Sequence, residues 1–97
     1  MNDKPVAIVT GSGTGIGTAC ARALAGEGFR VGLHYRKSAD GAKALQAELG
    51  DAFLLQADLA DIDQVERLVG GIKEQAGRVD VLVNNAGLSI NADINAM

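Results

Sequence analysis

At 97 residues the chain has room for one domain at most. Its core is modest, removing ~60–70% of the unfolded surface from water. Hydrophobic residues make up 47% and charged residues 22%, the balance of an ordinary soluble globular chain rather than a disordered one. A net charge of −3 gives no reason to expect a nucleic acid or an acidic membrane surface as partner, and a single Cys excludes an internal disulfide.

The first predicted strand runs from Pro5 to Thr10. Its Val6-Ala7-Ile8-Val9 run is continuously apolar, as a strand covered on both faces should be. Thr10-Gly11-Ser12-Gly13-Thr14-Gly15-Ile16-Gly17 follows and opens into a helical pattern. Strand, glycine turn and helix in that order make a cradle for a phosphate. The helix start offers unpaired N–H groups and a positive dipole end, and glycine lets backbone come close to an anion. The alternative is a tight strand–helix turn with no ligand. A Walker A loop is excluded, because no Gly-Lys-Ser/Thr follows.

Ile16, Ala19, Cys20, Ala23 and Leu24 set the expected inner face of helix one, with Arg22 and Glu27 on the other side and Gly28 closing it. Strand two is Arg30 to Tyr35, followed directly by Arg36-Lys37-Ser38. Helix two spans Ala39 to Leu49 with Ala42, Leu45 and Leu49 inward, and Gly50 stops it. Strand three is Ala52 to Ala57, and Asp58-Leu59-Ala60 form the next turn. Asp61 and Gln64 read as a capping box. Helix three then carries Val65, Leu68, Val69, Ile72 and Ala76 at i, i+3, i+4, i+7 spacing up to Gly77, interrupted by Gly70-Gly71. Strand four is Val79 to Val83, ending in Asn84-Asn85-Ala86-Gly87. Residues 88–97 show no period and are expected to form an irregular tail.

This β-α-β-α-β-α-β series predicts an α/β fold of three layers. Right-handed crossovers give a Rossmann-type parallel sheet of order 3-2-1-4, with a crevice at the carboxyl ends of strands one and four. Helices one and two should cover one face and helix three the other, leaving strand four as an open edge that weakens the isolated chain. The absence of a signal-peptide pattern and of a long apolar run predicts a cytoplasmic protein with no membrane span.

Thr10, Gly11, Gly15 and Gly17 match the T-G-x-x-x-G-x-G loop of the short-chain dehydrogenase/reductase family, and Asn84-Asn85-Ala86-Gly87 meets its N-N-A-G signature in full. With Arg36 and Asp58-Leu59 in place as well, the whole of residues 1–97 resembles the nucleotide-binding half-domain of that family. The flavour is similar to its 3-oxoacyl-[acyl-carrier-protein] reductase-like members. The resemblance implies a dinucleotide partner and an oxidoreductase acting on CH–OH groups, moving hydride between NADP(H) and a carbonyl or alcohol.

By the same resemblance Gly11, Ser12, Gly15 and Ile16 line the pyrophosphate and nicotinamide-ribose side, and Gly17 permits close helix–strand packing. Asp58 and Leu59 meet the adenine ring, Asn85 lies beside a ribose, Ala86 and Gly87 belong to the cofactor-binding set, and Asn84 braces the sheet. NAD-preferring members carry an acidic residue at the end of strand two. Here Tyr35 and Arg36 stand there, and Arg36 and Lys37 suit the 2′-phosphate of NADP(H) rather than NAD(H).

The family's catalytic Asn, Ser and Tyr-x-x-x-Lys have no counterpart in these residues, so no catalytic residue is expected here. The chain reads as a fragment of a longer, usually homo-oligomeric enzyme. The alternative is a non-catalytic dinucleotide-binding module, or a remnant that associates with a full-length relative. Blander readings stand beside the site residues: Arg36 and Lys37 as a solvated pair, Asp58 as turn chemistry, and Asn84 and Asn85 as turn residues. Cys20 reads as a small core residue. His34 is the only histidine, and no set of three or four metal ligands accompanies it.

Overall fold

The computed structural model describes residues 4–12, 15–37 and 39–85. Strands and helices alternate: β1 (Val6–Val9), α1 (Gly15–Gly26), β2 (Arg30–Tyr35), α2 (Asp40–Leu49), β3 (Ala52–Gln56), α3 (Ile62–Gln75) and β4 (Val81–Val83). The four strands form one parallel sheet in the order β3-β2-β1-β4, as the alternation predicts. Ala7 pairs with Val31 on one side and Val81 on the other, so β1 lies at the centre.

Alternation along the strands divides the core in two. Val6, Ile8, Phe53 and Leu55 pack with Leu68 and Ile72 of α3 on one face. Val9, Val31 and Leu33 pack with Ala21 of α1 and Ala42 and Leu45 of α2 on the other. This is the expected division of helices between faces.

Two local expectations change. Strand four was expected from Val79, but its ladder starts at Val81. Asp80 stands at its mouth: its N–H donates to the Val6 carbonyl at 2.8 Å, and its carboxylate accepts from Val6 N–H at 2.7 Å. A side chain there does the work of a strand carbonyl.

The inner face of α1 is rotated by one residue. Gly17 and Ala21 are buried, whereas Ile16, Ala19 and Ala23 are exposed. Cys20, Leu24 and Ala25 pack partly buried against the core. The rotation follows from the glycine at 17, which brings the start of α1 closer to the sheet than any larger residue would allow.

Polar staples hold the amino ends of the strands. Asp51 pairs with Lys4 at 3.2 Å and Arg30 at 3.4 Å, and the Arg30 guanidinium lies 4.6 Å from the centre of the Phe53 ring. No described helix is long and apolar enough to cross a membrane.

Candidate functional site

The chain leaves β1 toward β2 on one side and returns to β4 on the other. That reversal opens a crevice at the carboxyl ends of β1 and β4, the usual ligand position in an open parallel sheet. Thr10, Gly11 and Ser12 enter it from β1, and Asn84 and Asn85 from β4.

Thr10 ties the two strand ends together. Its N–H donates to the Val83 carbonyl at 3.0 Å, and its hydroxyl lies 3.2 Å from that carbonyl and 3.3 Å from Asn84 Oδ1. The same hydroxyl accepts from Asn85 N–H at 2.8 Å. Asn85 Nδ2 donates to the Gly11 carbonyl at 3.2 Å. Both asparagines therefore brace the turn.

Gly17 seats α1 on this arrangement. A Cβ at residue 17 would fall on the Gly11 carbonyl oxygen and 2.6 Å from Asn85 Nδ2. No side chain fits, so the tight packing expected of Gly17 has a direct steric cause.

His34 closes the turn from the other side. Gly11 N–H donates to its Nδ1 at 3.0 Å, and Nε2 lies 2.8 Å from the Ala57 carbonyl oxygen. An accepting Nδ1 leaves the proton on Nε2, which donates to Ala57. The backbone carbonyl of His34 accepts from both the N–H and the hydroxyl of Ser12, each at 3.0 Å. Burial pushes the imidazole pKa below the ordinary histidine value, against a smaller opposing effect of the Ala57 carbonyl. Thr18 Oγ1 donates to the Ser12 carbonyl at 2.8 Å and completes the bracing.

These bonds place the expected site residues in two groups. Ser12 is fully buried beneath the turn, with its hydroxyl engaged. Gly15 and Ile16 stand at the mouth. The space a Cβ would take at Gly15 is open, and Ile16 is 73% exposed. Arg36 and Lys37 are exposed just beyond β2, and neither forms an ion pair among the described residues.

Asp58 is half-buried in a local turn. Its Oδ1 accepts from Ala60 N–H at 3.0 Å, and its own N–H donates to Gln64 Oε1 at 2.8 Å. Leu59 packs partly buried against the α3 side of the core. Ala86 and Gly87 lie outside the described residues. Among the described residues no group of His, Cys, Asp and Glu could hold a metal ion.

Sequence reasoning set His34 aside and assigned no role to the Thr10 hydroxyl or to Thr18. The one available signal for His34 was a polar residue between Leu33 and Tyr35, on the opposite face from Leu33.

The short chain dehydrogenase family model matches residues 5–97. A Streptomyces violaceoruber protein named as ketoacyl reductase 2 of the granaticin polyketide synthase is 45% identical over 85 residues, covering 88% of this chain and 34% of its own length. A 3-oxoacyl-[acyl-carrier-protein] reductase of Synechocystis is 43% identical over 88 residues, covering 87% of this chain and 36% of the relative. The crystal structure of an actinorhodin polyketide ketoreductase variant with NADPH superposes at a TM-score of 0.81 with 38% identity, over 91% of this chain and 35% of that one. The chain thus spans about a third of the length of these relatives. With its sheet order, its glycine turn and this match over residues 5–97, the chain belongs to the short-chain dehydrogenase family.

Proposed function

We infer that this chain is the NADP(H)-binding, N-terminal segment of a cytoplasmic oxidoreductase, whose full-length form moves hydride between NADP(H) and a carbonyl or alcohol. The observation that carries the reading is the glycine turn before α1, which is hydrogen-bonded to His34 near the end of β2, two residues ahead of the exposed pair Arg36 and Lys37.

The residues present fit a dinucleotide. Gly15 leaves open space for close approach, Ile16 offers an apolar surface, and the first turn of α1 carries no acidic side chain to repel a phosphate. The guanidinium of Arg36 is suited to a 2′-phosphate, to which a charged hydrogen bond is worth about 1.5–3 kcal/mol. When bound, such a dinucleotide supplies the hydride donor or acceptor.

This chain's own part is to bind and orient. Gly15 and Ile16 receive the pyrophosphate side, Arg36 and Lys37 select the phosphorylated ribose, and the braced Gly11, Ser12 and Asn85 hold the turn beneath. No Tyr-x-x-x-Lys occurs in these residues, and the sole tyrosine, Tyr35, lies half-buried in β2. Proton transfer to the substrate therefore falls to residues outside this chain. NADPH in the crystal of the ketoreductase relative supports the choice of cofactor.

Calorimetric titration with NADPH and NADH tests the reading. Saturable NADPH binding, tighter than NADH and weakened about 10- to 100-fold by Arg36→Asp, is the expected result. A folded chain that binds neither nucleotide, or binds NADH as tightly as NADPH, overturns it.

A further inference from the structure

His34 meets none of the expected dinucleotide contacts, yet it receives three hydrogen bonds from Gly11 and Ser12 of the glycine turn. Gly11 N–H donates to Nδ1, and the N–H and hydroxyl of Ser12 donate to the His34 carbonyl, each at 3.0 Å. The residue is 2% exposed. Its Nδ1 can accept only while the ring is neutral. A second proton there sets a donor against a donor and breaks the Gly11–Nδ1 bond.

Among the described residues the surroundings offer no compensating charge. Thr10, Gly11 and Ser12 follow β1, Leu55 sits opposite in register on β3, Ala57 follows β3, and Asn84 and Asn85 follow β4. None of these titrates. The buried positions of α3, on the same face, are Leu68, Val69 and Ile72. The nearest ionisable side chains along these elements are Tyr35, Arg36 and Asp58. The causes acting on the ring's pKa are burial and the Ala57 carbonyl, with no charged side chain among them.

We propose that His34 is a positioning residue for the dinucleotide site, a latch whose imidazole holds Gly11 only while it is neutral, so that acidification loosens the turn next to Ser12, which stays on the His34 backbone carbonyl, and weakens nucleotide binding at the start of α1. This rests on the dinucleotide reading of the site. The latch acts through the turn and touches no ligand. Its signature is therefore a pH profile rather than a fixed loss of affinity.

The test follows the nitrogen-15-labelled chain by NMR from about pH 8 to pH 5, with NADPH titrations of the wild type and His34→Asn at each pH. The expected ring at pH 8 is the Nε2–H tautomer, and the Gly11 amide shift and exchange protection change with the ring's own midpoint. Below that midpoint wild-type NADPH affinity falls by up to about tenfold per pH unit relative to His34→Asn. Protonation of the nucleotide's 2′-phosphate is common to both chains and cancels in the ratio.

A Gly11 amide that ignores the ring, an Nδ1–H ring at pH 8, or a constant affinity ratio overturns the proposal. If His34→Asn fails to fold, the coincidence of the ring, amide and affinity midpoints in the wild type decides. A folded wild type that binds no NADPH at pH 8 overturns the dinucleotide reading instead, and the amide and ring midpoints then decide the latch alone.

Discussion

Gly17 and His34 hold the same turn by opposite means, one by lacking a side chain and the other by filling a polar gap. A methyl group at residue 17 would collide with the Gly11 carbonyl and sit 2.6 Å from Asn85 Nδ2. Both neighbours are held by hydrogen bonds, so they yield little. Gly17→Ala is expected to cost about 1–3 kcal/mol, read as a lowered urea midpoint, and to weaken NADPH binding with it. An unchanged midpoint would mean that α1 can lift off the turn freely. The importance of Gly17 was legible from its place in the glycine pattern. That of His34 was not, because its partners Gly11 and Ala57 are each 23 residues away and meet it only once β1, β2 and β3 pair.

At the scale of the element, α3 shows how far local spacing carries. Asp61 caps it, accepting from the N–H groups of Asp63 at 3.0 Å and Gln64 at 3.4 Å, as the capping pattern predicts. The reciprocal half of the box differs. Asp61 N–H already donates to the Asp58 carbonyl at 3.0 Å, so the Gln64 side chain accepts from Asp58 N–H instead. This links α3 to the turn after β3.

The Gly70-Gly71 pair lies inside the same continuous helix without a packing reason. A Cβ at residue 70 meets open space, and one at residue 71 makes only an ordinary 3.8 Å contact with Leu55. Gly70→Ala should therefore stabilise the chain by about 0.5–1 kcal/mol, seen as a raised melting temperature. A lowered melting temperature would show that this helix face has a neighbour.

For the whole molecule, stability is tied to pH through groups at opposite ends of the sheet. Burial lowers the His34 pKa in the folded chain, so below about 6.5 the unfolded chain binds a proton there that the folded chain refuses. This contribution is complete above that pH and is lost as pH falls toward the folded value.

Asp80 acts in a more acid range. The Arg78 guanidinium, first, and Val6 N–H, second, hold its carboxyl below the usual range, so its contribution persists above that range and is lost as pH falls through the folded value. Urea unfolding across pH should give a level midpoint above neutrality, a decline beginning below about pH 6.5 and a further one in strong acid. His34→Asn should remove the first decline and keep the second. A first decline that persists in the variant would assign it to another group.

The order of the elements, their parallel pairing and the division of helices between the two faces were all legible in the sequence. Each rests on patterns a chain displays over short distances: apolar runs, a 3.6-residue period, glycine at turns. The family signatures were legible for the same reason. Only the tertiary structure decided how the turn is held and which way α1 faces. Thr10 meets Asn84 and Asn85 across 74 and 75 residues, and their placement depends on β1 lying between β2 and β4. Ile16 turns outward because Gly17, at the point of closest approach, takes the inward position. Local periodicity records the spacing of side chains along one element, whereas contacts between strand ends arise only from the order in which the sheet assembles.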